Sequence, residues 1–280
     1  MRGDVQEARG VVEDLSYKQR CEKIERWLSP PDPSANHNNA LKKCHHGSGL
    51  WFLHSDRFAK WKTKHNSFLL LHGISGCGKT ILSSTIINDL ASSPSSQTLI
   101  YFYFDYKDTH KQTIESMIRS LILQLSYKNK DMWEELDSLF SYYKDGSQQP
   151  PCESLCKTFL CLIEQTKEVW IILDALDECH TRKGPPAEGL LLWMKELLGS
   201  EQRNVHLLVT SRPEHDIISG INEFAHNDEI VPIQSDLIAA DIRAYIRTRV
   251  REDRGLKRWK RRPSVQYEIE SSLMKKANGM

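Results

Sequence analysis

The sequence predicts an α/β protein, a parallel sheet of five strands flanked by helices. Three observations carry this. Short apolar, β-branched runs at Ser67–His72, 98–104, Val169–Asp174, 204–209 and 229–233 have the length of buried strands. Segments with apolar residues three and four apart lie between them. The first strand runs into Gly73-Ile74-Ser75-Gly76-Cys77-Gly78-Lys79-Thr80, a G-x-x-x-x-G-K-T loop that opens a helix.

Size and composition set the limits. The 280 residues, 39% hydrophobic, suffice for one α/β core with smaller appendages. The net charge of +1 gives no global field toward nucleic acid or membrane. No apolar run is long enough to span a bilayer, and the N-terminus lacks the apolar core of a signal peptide. Seven cysteines, odd in number and without a framework, suggest a reducing compartment. These features together lead us to expect a cytoplasmic protein.

Taken in order, residues 1–28 read as a charged helix ending in Ile24, Trp27 and Leu28. Pro30, Pro31 and Pro33 then make a stiff extended linker. Gly47, Gly49 and Trp51 form either an ordinary turn or a lid over a nucleotide base. Cys44-His45-His46 lacks a second ligand pair at zinc spacing and reads as a solvated loop. Phe58 and Trp61 sit at helical spacing and belong to the core. Beyond Thr80, Leu82, Ile86 and Leu90 give the next helix an apolar face, and 91–97 is a serine-rich turn. Asp105 closes the second strand. Three amphipathic helices follow, marked by Ile114 to Leu125, Met132 to Tyr143 and Leu155 to Ile163. They form a helical insertion at the sheet edge. Cys152, Cys156 and Cys161, with no histidine nearby, act as small hydrophobes. After the last strand, Ile238, Ile242 and Ile246 begin a further helix, and Val265, Ile269 and Leu273 mark a final one. Between them, positions 241–262 carry ten Lys/Arg against three acids, which reads as a solvated face. The expected division is a helical segment and linker over 1–50, a nucleotide-binding core over 51–233 and the start of a helical domain over 234–280.

The chemistry concentrates where strands end. Glycines fold the 73–78 loop so that its N–H groups, and those of Lys79, Thr80 and Ile81 at the helix start, face a phosphate. Lys79 reaches the β- and γ-phosphates as a point charge, and the Thr80 hydroxyl ligates Mg²⁺. Asp174 ends a buried strand, where a carboxylate holds the same ion. Asp177 or Glu178 is placed to orient or deprotonate the attacking water, although both acids are also suited to capping a helix. Arg212, just past the fourth strand, is placed to sense the γ-phosphate. ATP and GTP share these contacts.

The segments 73–80, Leu173-Asp-Ala-Leu-Asp-Glu-Cys179 and Thr210-Ser-Arg-Pro-Glu214 resemble the NACHT NTPases of filamentous fungi, in the STAND class of signalling ATPases and GTPases. Residues 27–34, 47–51 and 276–280 resemble the same proteins, and the region also resembles the nephrocystin-3-like N-terminal domain, another name for the module. The resemblance implies a strand order of 5-1-4-3-2, with the Arg212 strand between those of Lys79 and Asp174. It raises the lid reading of 47–51 to equal standing with the ordinary turn and makes Arg212 the sensor arginine. It also implies a switch that rests with diphosphate, oligomerises with triphosphate, and signals in incompatibility, cell death or innate immunity. Winged-helix and ankyrin, WD40 or TPR regions, usual in such proteins, are expected to be missing here through truncation. The leading expectation is an NTP-binding switch with slow Mg²⁺-dependent hydrolysis. The alternatives are a nucleotide-bound scaffold that does not hydrolyse, a decayed remnant, and a small-molecule kinase, for which no lid signature exists.

Overall fold

The computed structural model describes residues 2–45, 47–92, 98–184, 189–201, 203–233 and 235–277. Five parallel strands, β1 (Ser67–His72), β2 (Thr98–Tyr103), β3 (Val169–Asp174), β4 (Val205–Ser211) and β5 (Ile230–Pro232), lie in the order β2-β3-β4-β1-β5. This is the expected fold class and the expected order, with β4 between β1 and β3. Its register pairs His72 with Ser211 and Tyr103 with Asp174, so the ends of β1, β2, β3 and β4 reach one edge of the sheet together. Parallel strands deliver their C-terminal residues to a common edge, which makes that edge the place to look for a ligand.

The helices are α1 (Arg2–Leu28), α2 (Ser34–Lys43), α3 (Leu50–Leu53), α4 (Asp56–Thr63), α5 (Lys79–Ala91), α6 (Ile114–Ser126), α7 (Met132–Tyr142), α8 (Cys152–Glu164), α9 (Leu190–Leu198), α10 (His215–Ile221), α11 (Ser235–Glu252) and α12 (Pro263–Ala277). Strand side chains alternate faces, so each strand feeds two cores. One face, with Phe68, Leu70, Ile171, Leu173 and Leu207, packs on residues of α6, α8, α9 and α10. The other, with Leu69, Leu71, Ile172 and Leu208, packs on Phe52, Phe58, Trp61, Leu82, Ile86 and Leu90. Trp27 of α1 meets Phe140 of α7 edge-on at 5.2 Å, and its indole N–H donates to the Gln148 carbonyl at 2.8 Å. The α6–α8 insertion sits beside edge strand β2, as expected.

Several readings needed correction. The proline linker is short, and the helix that follows it was not anticipated. The chain turns at Ser29 (φ 43°) and enters α2, whose polar sequence buries only Ala40 and so shows no apolar period. Cys44 and His45 are packed rather than solvated. The Cys44 thiol lies 3.5 Å from the Thr85 hydroxyl, and His45 Nε2 lies 3.3 Å from that of Thr248. His46 and positions 93–97 of the serine-rich turn lie outside the described residues. Cys156 is buried as a small hydrophobe should be, but Cys161 faces solvent. Neither α9 nor α10 was anticipated. Asp177 and Glu178 cap no helix; they lie in a 3₁₀ turn, Leu176–Glu178. Among the described residues no helix is long and apolar enough to cross a membrane.

Candidate functional site

The site grows from the turn after β1. A Cβ on Gly73 would meet the Cys77 sulfur at 2.7 Å, so only glycine lets the chain leave the strand there. Gly76 and Gly78 take φ of 82° and 89°, which side chains disfavour. Cys77 turns inward, while Ile74, Ser75 and Gly76 are exposed around the loop. Lys79 and Thr80 then begin α5. The Lys79 ammonium donates to the carbonyls of Gly73 (2.7 Å) and Ile74 (2.9 Å), holding the loop as a bowl at the positive end of a helix.

Asp174 meets α5 from the end of β3. Its carboxylate accepts three hydroxyls, Thr80 Oγ1 on Oδ2 and Ser83 and Thr210 on Oδ1, each at 2.7 Å. Thr210 in turn accepts the Ala175 N–H at 3.0 Å. Asp174 is only 2% exposed, and burial raises its pKa; the three hydroxyls and the charge of Lys79 oppose the rise without cancelling it. A buried carboxylate with neutral donors and one nearby cation favours a further positive charge. Thr80 and Asp174 supply hard oxygens, and a one-carboxylate site completed by phosphates is how Mg²⁺ is usually bound.

The next turn sorts two neighbouring acids. Ala175 takes φ 61°, which reverses the chain after Asp174. The Asp177 side chain is then buried (4% exposed) and fully engaged: Oδ1 accepts the Arg212 N–H at 2.9 Å, and Oδ2 pairs with the Arg212 guanidinium at 3.0 Å. Glu178 points the other way, accepting the Tyr106 N–H at 2.8 Å. Burial raises its pKa, that N–H opposes the rise, and the charges of Asp177, Asp105 and Asp174 add to it. Burial and Lys79 together lower the pKa of His72, keeping that imidazole neutral beside the loop.

A cavity of about 310 Å³ opens beside the loop, lined by Gly76, Gly78 and Ile81 on one side. Ser48, Gly49 and Trp51 form a second wall, and Asp241, Ile242 and Tyr245 of α11 a third. Asp241 accepts the Gly49 N–H at 2.7 Å, which ties α11 to the 47–51 turn. Gly73 through Ile81, Asp174, Asp177, Glu178 and Arg212 therefore stand on one edge of the sheet. Ser83, Thr210, Tyr106, Asp241 and Tyr245 join them without having been foreseen. Ser83 had a usable signal, since it follows Thr80 by three residues and shares its helix face.

Residues 47–212 match the nephrocystin 3, N-terminal family, more than half of the chain. The chain belongs to this family. Its match opens at the turn that walls the cavity and closes at Arg212, so it takes in the loop, Asp174 and the acid turn. The vegetative incompatibility protein HET-E-1 of Podospora anserina is 26% identical over 139 residues, or 48% of this chain. The chain matches only 10% of that relative's length. These two matches bear out the resemblance to fungal NACHT proteins.

Proposed function

We propose that the chain is a nucleoside-triphosphate switch of the STAND/NACHT class, binding ATP or GTP with Mg²⁺ and hydrolysing it slowly. One observation carries the reading: the Thr80 hydroxyl and the Asp174 carboxylate meet at 2.7 Å beside Lys79, at the ligand-binding edge of a parallel sheet. In this reading the 73–81 loop cradles the phosphates and Lys79 neutralises them. Thr80 and Asp174 hold Mg²⁺, which when bound would screen phosphate charge. Asp177 is not the base, because both its oxygens already serve Arg212. Glu178 takes that role, orienting water while Tyr106 N–H fixes its carboxylate. Arg212 reads the γ-phosphate. The base lies in the cavity under Trp51, which makes the 47–51 turn its lid. Signalling in fungal incompatibility or cell death, through assembly of several copies, belongs to the same proposal.

Titration of the chain with fluorescent ATP and GTP analogues and Mg²⁺ tests it. Binding is expected in the wild type and is lost in Lys79→Ala. Tight binding retained by the variant would rule the assignment out.

A further inference from the structure

Arg182 has no place in the motifs described so far, yet it joins two of them. It lies just past the acid turn and is mostly covered, 23% exposed. The loop carrying it is pinned twice to the start of α6: His180 N–H donates to the Gln112 carbonyl at 2.7 Å, and the Thr181 hydroxyl accepts the Ile114 N–H at 2.8 Å. From that anchorage the guanidinium fans out in three directions. Nη1 donates to the backbone carbonyl of Asp177, Nη2 pairs with Glu214 at 2.9 Å, and Nε donates to Asp216 at 3.2 Å.

These contacts close a ring. The Asp177 carboxylate holds Arg212 by its backbone and its side chain. Arg212 leads through Pro213 to Glu214. Glu214 and Asp216 hold Arg182, which holds the carbonyl of Asp177. We propose that Arg182 is a positioning residue: it locks the loop of Arg212 against the acid turn and so sets where that arginine meets the third phosphate. This rests on the reading of Arg212 as the γ-phosphate sensor. Arg212 itself is 47% exposed in its side chain, and its guanidinium pairs with Asp177; its backbone carbonyl accepts the Ser211 hydroxyl and the Glu214 N–H, each at 2.8 Å, so the ring also sets its main chain. A planar fork serves this purpose where a single ammonium cannot, because three acceptors lie in three directions.

The test is the ratio of triphosphate to diphosphate affinity, measured with Mg²⁺ by titration calorimetry on the full chain. Wild type is expected to prefer triphosphate. In R182A the preference falls about tenfold, the scale of one charge-assisted hydrogen bond to a ligand, while diphosphate affinity holds within about twofold. R182K, which keeps the charge and loses the fork, falls with R182A. If R182A does not fold, E214Q removes one strut and is expected to lower the ratio about threefold. A ratio unchanged in R182A, or restored in R182K, overturns the role of Arg182 alone. A wild type that binds no nucleotide, or binds both equally, overturns the sensor reading first.

Discussion

The two edges of the sheet each bury a polar network, and the networks differ in how their charge is closed. At the edge away from the loop, His206 is 1% exposed and stacks on Trp170 at 4.6 Å and 11°. Its Nδ1 meets the Trp61 carbonyl at 2.9 Å and the Ser67 hydroxyl at 2.8 Å, and its Nε2 meets Glu168 at 3.0 Å. Ser67 donates onward to the Trp61 carbonyl at 2.6 Å. A serine, a histidine and a glutamate in a row look like a hydrolase triad, but the serine is 1% exposed and its hydroxyl proton is committed to the Trp61 carbonyl. The serine, the histidine and the glutamate each have a partner, and the one acid reaches solvent. At the loop edge Asp174 is as deeply buried, and its three partners are neutral hydroxyls. A closed network marks architecture, and an open negative charge marks a place where a cation belongs.

The sharpest break in this comparison comes from Glu178. Changing it to Gln keeps the acceptor for Tyr106 N–H and removes the base. Turnover is expected to fall roughly 1,000-fold while nucleotide affinity stays within about twofold. Because burial and three nearby acids raise its pKa, wild-type turnover should rise with pH through a value above that of an ordinary glutamate. Glu178→Gln should flatten that limb. Single-turnover measurements across about pH 4 to 8 would separate this from a scaffold that binds without hydrolysing, for which both profiles would be flat.

Asp174→Asn tests the open charge directly. Mg²⁺-dependent nucleotide affinity is expected to drop roughly 100-fold, the upper end of what disturbing a metal's surroundings costs. Stability of the free protein should move oppositely. A carboxyl whose folded pKa is raised makes folding less favourable as pH climbs from its unfolded value, 3.8, through the folded one. The folded state binds more protons in that window, so unfolding free energy falls across it. The Asn variant lacks this loss and should be at least as stable as wild type at neutral pH. Thermal melts with and without Mg²⁺ and nucleotide would show it; an Asn variant clearly less stable in the free form would make Asp174 architectural like His206.

His206→Ala is the complement. It takes one partner each from Ser67, Glu168 and the Trp61 carbonyl and removes the ring stacked on Trp170. A loss of about 2 kcal/mol in unfolding free energy is expected, with nucleotide affinity unchanged. A change in affinity would mean the two edges communicate through β4.

How much of this was visible beforehand follows from the same distinction. Asp174 and Lys79 were legible because strand, loop and helix order bring such residues together whatever packs around them. All five strands were legible because β-branched apolar runs between turns have few other readings. The helix α2 was not, because it presents almost no apolar stripe and is held by polar contacts distant in sequence, such as Asn36 donating to Asp105 at 3.0 Å and His37 lying 3.1 Å from the Tyr103 hydroxyl. The roles of Asp177 and Glu178 could not be divided by sequence either. Which of two adjacent acids turns inward depends on the left-handed residue at Ala175, a conformation that alanine itself does not announce. His206 and Arg182 lie outside any motif, and apart from the Asp177 carbonyl that Arg182 reaches, their partners are 30 residues or more away along the chain.

The smallest expected effect lies in the wall of the cavity. Gly49 takes φ 80°, and a Cβ there would stand 2.9 Å from Leu82 Cδ1 on α5. Its N–H donates to Asp241, so the residue joins the turn, the P-loop helix and α11 at one point. Gly49→Ala strains the backbone and crowds a leucine that can shift, a cost of about 1 kcal/mol that the 47–51 turn relieves by moving outward. If that turn covers the base, nucleoside triphosphate binding weakens about fivefold, whereas binding of inorganic triphosphate, which has no base, is unaffected. Equal losses for both ligands would instead place the strain on the phosphate loop, and the turn would be a wall of the fold and not a lid.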